Sequence, residues 1–443
     1  MSDGASSGRA ASVKRGATVE LPYGDARLRV VLAAGRFTII AATPPTALVD
    51  PPAALRDALA APIDAPPLAA CVRPRDRATI IVSDGTRATG IRALMPTLLD
   101  ELERAGVPPA RVHVLFALGI HRRQSDAERA AIIGPEVAAR ISHADHECDD
   151  DAAHAPLAGD GTLAGIRLNR RVLAGDLVLV TGALGFHYLA GFGGGRKALL
   201  PGVAMRASVQ AFHRHSLASD PTAGRHAAVA PGVRAGNPLD ALATAAAARV
   251  PRTFLVNTML VPGGGIGGIF AGDVEAAFAR GCATYRAAFT APIPARRPVV
   301  LVSAGGAPRD GDLVQAQKAI AAGAAALAPG GMMLVVARCG EGAGQAELLR
   351  WFEHGDRAAH LRALHASFSV PGQTALALRE HAERAEVYLY STLPPDVVAR
   401  IGMHPLEHVD EFFAAVARRY GGDVEGYVLP DGARYLPVAA AAA

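Results

Sequence analysis

Of the 45 Lys and Arg residues in this 443-residue chain, only Lys14, Lys197 and Lys318 are lysines. Where arginine meets almost every need for a surface cation, a retained primary amine points to a task that a guanidinium cannot perform. Lys14 lies in a Ser-, Gly- and Ala-rich leader with no periodic apolar face. Lys197 closes the run Gly191-Phe192-Gly193-Gly194-Gly195-Arg196-Lys197, and Lys318 falls near the start of a predicted helix beside Gln315 and Gln317. The two interior lysines are therefore the first candidates for chemistry, with chance retention as the alternative.

Histidines and glycines surround the first of them. His187 precedes the glycine run, and His213 and His215 follow Pro201-Gly202 and a predicted helix. Glycines let a backbone approach a bulky ligand, and their amides can meet phosphate. The run is not a Walker A loop, because Arg196 precedes Lys197 and Ala198 follows it. A zinc site could be drawn from His187, His213 and His215, but their spacing fits neither HExxH nor a finger. Upstream, Gly119-Ile120-His121-Arg122 stands before Ser125 and Glu128, a capping-box pattern that sets His121 between a strand end and a helix start. Imidazole is the usual general base near neutral pH, although a single loop histidine also fits a solvated role. Arg87, after Asp84 and Thr86, offers an anion clamp. Asp310 and Asp312 can cap a helix that presents Gln315 and Lys318 on one face, a seat for a carboxylate or simply a solvated surface.

Strands must carry these residues. Apolar runs at 78–82, 111–118, 177–181, 253–256, 298–302, 332–337 and 386–390 alternate with alanine-rich stretches, so the fold class is α/β with mainly parallel sheets. Asp84, His121 and His187 each follow such a run, and ligands of open α/β sheets bind at strand carboxyl ends. The proline-rich stretch at 290–298 reads as a linker. It divides an N-terminal α/β domain (17–291) from a C-terminal α/β domain (298–430). Residues 1–16 and 438–443 read as disordered.

Composition narrows the class. Half the residues are hydrophobic and the net charge is +4, enough apolar material for substantial cores. With no basic block and little aromatic interleaving, nucleic-acid binding has no support. Ile320 to Ala337 is broken by Pro329-Gly330-Gly331, so it reads as a helix end and a strand, not a membrane span. Four scattered cysteines and a leader without an apolar core point to the cytoplasm. The oligomeric state stays open.

Taken in order, Ser83-Asp84-Gly85-Thr86-Arg87, Gly119-Ile120-His121-Arg122, the block from His187 through Lys197 to His213, and Gln315 to Lys318 resemble the nickel-pincer lactate racemase family over roughly residues 18 to 430, most specifically from His187 to His213. The resemblance implies two α/β domains with the active site in the cleft between them. It implies a pyridinium-3,5-bisthiocarboxylic acid mononucleotide nickel cofactor, loaded by maturation proteins, tethered at Lys197 through a thioamide and bonded to nickel through carbon and two sulfurs. His213 would be the protein ligand of nickel; Asp84, Thr86 and the loop Gly193, Gly194 and Gly195 would help to hold the nucleotide or substrate. His121 and His187 would act as alternating bases on a 2-hydroxy acid whose α-hydrogen passes as hydride to the pincer, leaving a planar 2-oxo acid. Arg87, Gln315 and Lys318 would hold the carboxylate or polarise the carbonyl. Ala88, Gly193 and Val314 depart from the proline, serine and tyrosine of the lactate enzymes, which opens the family's chemistry to other 2-hydroxy acids. A zinc-dependent hydrolase and a non-catalytic nucleotide- or cofactor-binding protein are the alternatives.

Overall fold

The computed structural model describes residues 11–40, 42–174 and 176–440. They form two α/β units. One comprises Pro44–Ala218 and Arg225–Ala287; the other takes the described residues up to Thr43, Ser219–Gly224 and those from Ala288 onward.

The first unit is built on a six-stranded sheet in the spatial order Ile266–Gly272, Thr253–Leu260, Leu177–Ala183, Ala78–Ser83, Val112–Ala117, Ser142–Asp145. All neighbours are parallel except the antiparallel edge strand Ile266–Gly272. The interior strands read as continuous apolar runs because both faces are covered: Ile80, Ile81 and Val82 are all inaccessible to solvent. The helix Ile91–Arg104 lays Leu94, Leu98 and Leu102 on one face of this core. Each such buried leucine contributes about 2 kcal/mol. Chain order reverses between Ala78–Ser83 and Leu177–Ala183, so the crevice beyond their carboxyl ends is a topological switch point.

The second unit carries a seven-stranded sheet, Ala11–Val13, Arg36–Ile39, Glu425–Leu429, Arg297–Ser303, Leu327–Val336, Glu386–Tyr390, His404–Leu406. The predicted helix end followed by a strand within 320–337 is found: the helix Leu313–Ala326 runs directly into Leu327–Val336.

The expected boundaries need correction. Arg36–Ile39 pairs in parallel with Glu425–Leu429, and Ala11–Val13 pairs with Arg36–Ile39, so the start of the chain belongs with the C-terminal unit. Contacts across nearly the whole chain leave no trace in local pattern. The supposed linker holds the strand Thr290–Ile293, paired in parallel with Leu436–Ala439; Pro292 is tolerated in this two-stranded ladder, where few amides are needed. Residues 11–13 and 438–439, expected to be disordered, are therefore strand. Residues 14–16 and 440 are described outside strands, with Gly16 N on Leu32 O at 2.8 Å and Ala440 N on Ile293 O at 3.0 Å; 1–10 and 441–443 lie outside the described residues. Among the described residues no helix is long and apolar enough to cross a membrane.

Candidate active site

Parallel strands place their carboxyl ends on one edge, which brings three of the candidate loops together. Asp84 follows Ala78–Ser83, His121 follows Val112–Ala117 and His187 ends the short strand Gly185–His187 just beyond Leu177–Ala183. The loop of His121 is tied to that of Lys197, since Gly119 N donates to Gly202 O at 2.9 Å and Gly202 N to Lys197 O at 3.0 Å. Ser125 and Glu128 form the anticipated capping box on the helix Asp126–Ile133.

His121 Nδ1 lies 2.6 Å from Asp84 Oδ2. Burial alone would raise the Asp84 carboxyl, but the hydrogen bond and charge of His121, then Arg87 and the Thr86 hydroxyl, outweigh it and hold the group below its ordinary range. An ionised carboxylate only accepts, so His121 donates from Nδ1, and Nε2 is the ring nitrogen left for a second partner. Thr86 closes the turn, its amide and hydroxyl donating to Asp84 Oδ1 at 3.1 and 2.5 Å.

His187 is held the other way round. Its Nδ1 accepts from the amides of Leu189 and Ala190 at 3.1 and 3.2 Å, so the neutral ring carries its proton on Nε2, 2.9 Å from Lys197 Nζ. An amine that accepts this proton is uncharged. Lys197 is suited to that state: burial first, then the charges of Arg87 and Arg196, bring it from 10.5 down to about 7.

The glycine loop has a more structural explanation than a ligand cradle. Gly194 and Gly195 adopt φ of +84° and +57°, and a Cβ would meet Ala183 O at 2.8 Å and the Phe278 ring at 2.5 Å respectively. The Gly195 amide donates to Asn257 Oδ1 at 3.1 Å, so it is engaged by protein and not offered to phosphate. At Gly193 a Cβ would make only ordinary contacts, with the carbonyls of Ala183 and Gly185 at 3.8 Å. Next along, buried Arg196 pairs with Asp240 and lies 3.9 Å over the Phe278 ring, which locks the segment beneath Lys197.

His213 lies in the last turn of the helix Arg206–Arg214, not beyond it. Its Nδ1 donates to Val209 O at 2.9 Å, leaving the Nε2 lone pair as the ligating position. Burial, then the charge of Lys197, with a smaller effect of His121, lowers this imidazole to about 4 despite the opposing Val209 bond. It is neutral at pH 7, the form that binds a metal. Among the described residues, no three His, Cys, Asp or Glu side chains converge to hold a metal ion. A single histidine that stays neutral, near an amine whose ammonium form burial disfavours, fits a metal whose other ligands come with a bound cofactor.

In the other unit, Asp312 caps the helix Leu313–Ala326 by accepting from Gln315 N at 2.7 Å, and Lys318 Nζ donates to Gln315 Oε1 at 2.8 Å. The two predicted substrate-holding side chains are thus a bonded pair. Asp310 is not a second cap; its carboxylate accepts from the amides of Gly24 and Arg338.

Sequence reasoning passed over Gln124 and Asp145. Gln124 Oε1 accepts from Gly85 N at 2.9 Å, while its amide nitrogen and backbone N–H donate to Asp145 at 2.9 and 2.7 Å. The position of Gln124, three residues after His121, was the available signal.

The family model of the lactate racemase N-terminal domain matches residues 23–224, and that of the lactate racemase C-terminal domain matches residues 294–436. Lactate racemase of Thermoanaerobacterium thermosaccharolyticum is 29% identical over 342 residues, covering 76% of this chain and 78% of its own length. Lactate racemase of Lactiplantibacillus plantarum is 27% identical over 387 residues, covering 84% and 87%. The structure of the lactate racemase apoprotein from T. thermosaccharolyticum superposes with a TM-score of 0.84 at 25% identity, covering 95% of this chain and all of that one. A Thermotoga maritima protein shares the fold at a TM-score of 0.62 and 17% identity, covering 83% of this chain and 94% of its own.

Proposed function

Because the chain belongs to the lactate racemase family, we propose that it is a racemase or epimerase inverting the C2 centre of a 2-hydroxy acid, with a nickel-pincer nucleotide tethered at Lys197 as its cofactor. The observation that carries the reading is a carboxylate-held His121 together with a His187 whose Nε2 lies 2.9 Å from the buried Lys197 amine. His121, with Nδ1–H on Asp84, offers Nε2 as the atom that takes and returns a proton; His187, whose Nε2 lies 2.9 Å from Lys197 Nζ, is assigned the matching role, each ring passing between imidazole and imidazolium. Inversion requires such a pair, since each enantiomer presents its hydroxyl to a different base.

When bound, the cofactor would supply the acceptor and return path for the substrate's α-hydrogen. The chain's own residues do the rest. Lys197, uncharged in much of the population near pH 7, is the nucleophile that a thioamide requires and that arginine could not replace. His213 offers nickel a neutral Nε2. Asp84 keeps His121 in one tautomer, and Thr86 shapes the turn that carries Asp84. Arg87, Gln315 and Lys318 are assigned to the substrate carboxylate and the developing carbonyl, Gly193 to the backbone that admits the cofactor, and Gly194 and Gly195 to the packed turn that leads into Lys197. Val314, smaller than the tyrosine it replaces, accommodates a larger C2 substituent than the methyl of lactate.

The zinc-hydrolase reading loses ground because a catalytic zinc needs three protein ligands and no such set occurs among the described residues. A non-catalytic carrier would have no use for the paired histidines. The test is to produce the chain with the cofactor-maturation proteins, measure nickel and the mass of the peptide containing Lys197, and follow chiral 2-hydroxy acids for inversion. Nickel with a modified Lys197 and inversion of at least one acid is expected; an unmodified Lys197 without nickel overturns the reading.

A further inference from the structure

Thr86 on the carboxylate, and Arg87 N on the Asp84 carbonyl at 3.1 Å, set the form of the Asp84 turn. The Asp84–His121 bond joins the turn to the loop of His121. A second crosslink between the same two loops holds that bond in alignment. Gln124, buried with 9% of its surface accessible, reaches 39 residues back in sequence to accept from Gly85 N at 2.9 Å.

Asp145, at the end of the neighbouring strand Ser142–Asp145, dictates which end of the Gln124 amide faces Gly85. Its Oδ1 takes Gln124 Nε2 at 2.9 Å and its Oδ2 takes Gln124 N at 2.7 Å. Arg129 lies 3.3 Å from Asp145 Oδ2 and donates to Gln124 O at 2.7 Å. A carboxylate in this company accepts only, so the NH2 group must face Asp145 and the carbonyl oxygen must face the Gly85 amide. The assembly is a rigid spacer running carboxylate, amide, backbone N–H, and it ends one residue from Asp84.

We propose that Gln124 is a positioning residue for proton transfer: oriented by Asp145, it holds the Asp84 turn against the His121 loop and so keeps carboxylate and imidazole aligned. The inference rests on His121 acting as a base, and it has a readout that does not. Loosening of a few tenths of an ångström in such a pair is felt in turnover, because proton transfer depends steeply on alignment.

The experiment is a polarity swap. Gln124→Glu keeps an acceptor for Gly85 but sets two carboxylates against each other; Gln124→Glu/Asp145→Asn restores a donor opposite an acceptor with the roles exchanged. In the full-length apoprotein with 15N-labelled histidine, assigned by the spectrum of His121→Gln, the hydrogen-bonded Nδ1–H of His121 should weaken or vanish in Gln124→Glu and return in the double variant. In the loaded enzyme, kcat for whichever 2-hydroxy acid the parent inverts should fall about tenfold in Gln124→Glu with KM little changed, and recover in the double variant. Gln124→Leu, which removes both polar ends without adding charge, should match the single variant in both measurements. An unchanged His121 signal in folded Gln124→Glu and Gln124→Leu overturns the proposal. A signal that is lost and rescued while turnover never changes upholds the positioning and refutes His121 as the base.

Discussion

Replacing Lys197 with methionine should stabilise the apoprotein at neutral pH while destroying its function, and the gain should disappear in alkali. Lys197 is brought from 10.5 down to about 7, so between those values the unfolded chain binds a proton that the folded chain does not. Unfolding then takes up protons, and stability rises with pH across that window. Below about pH 7 the full cost of a buried ammonium is present; above 10.5 it is gone. A displacement of this size corresponds to about 5 kcal/mol. Because the side chain keeps part of its surface in solvent, about half that, roughly 2 kcal/mol, is the working figure. Methionine keeps most of the stem's volume but cannot accept the His187 proton at Nε2, a loss of about 1 kcal/mol that does not vary with pH while His187 is neutral. The slope is therefore the reading and the offset is not. Urea unfolding of both apoproteins at pH 7 and near pH 10.5 should show the difference between variant and parent shrinking by roughly 2 kcal/mol. With only three lysines in the chain, a 13C-dimethylated sample gives few signals, and one that is missing from Lys197→Met should titrate near pH 7. A difference that stays constant with pH, together with every lysine signal titrating near 10, would refute an amine so easily uncharged and with it the nucleophile.

Three further outcomes follow from the same geometry. Asparagine in place of Asp84 keeps the shape of the turn but can donate to His121 and favour the wrong tautomer, so Asp84→Asn should lower kcat at least about a hundredfold while nickel content, measured by plasma mass spectrometry, is retained. His213→Ala should lose nickel with an unchanged circular dichroism spectrum. In the parent, with this imidazole lowered to about 4, proton competition for it should begin only as the pH falls towards that value, as metal release during acid titration would report. Gly195→Ala forces an L residue to φ +57° with its Cβ 2.5 Å from the Phe278 ring, and should cost about 3 kcal/mol in chemical denaturation.

The buried parallel strands were legible because their pattern is local: Thr79 to Val82 and Leu177 to Val180 are continuous apolar runs whichever chain segments flank them. The residues that follow them were legible too, since Asp84, His121 and His187 need only a strand before them to reach one edge. What the sequence concealed depends on distant pairing. Nothing in Arg36–Ile39 announces a partner at Glu425–Leu429. Ser142–Asp145 is an edge strand of polar character, so Asp145 did not register as the end of a sheet strand or as the orienting partner of Gln124. The glycine run was recognised as special, but at 194 and 195 the reason was the nearness of Ala183 and Phe278.

The opposite settings of the two histidines have a consequence for turnover. A two-base inversion needs one imidazole deprotonated and the other protonated at the atoms facing the substrate, and after each inversion those states must be exchanged. On the reading proposed above, a proton taken by His121 would make an imidazolium that Asp84 stabilises. At His187 two turn amides donate to Nδ1, which favours the neutral ring over the imidazolium. The two bases would therefore differ in how readily they charge. Chloride, or another anion drawn to Arg87, should disturb both sides, since the charge of Arg87 acts on Asp84 and on Lys197, whereas Asp84→Asn acts on the His121 side. Solvent isotope effects on kcat should consequently respond differently to Asp84→Asn and to added salt; identical responses would contradict a polarised pair.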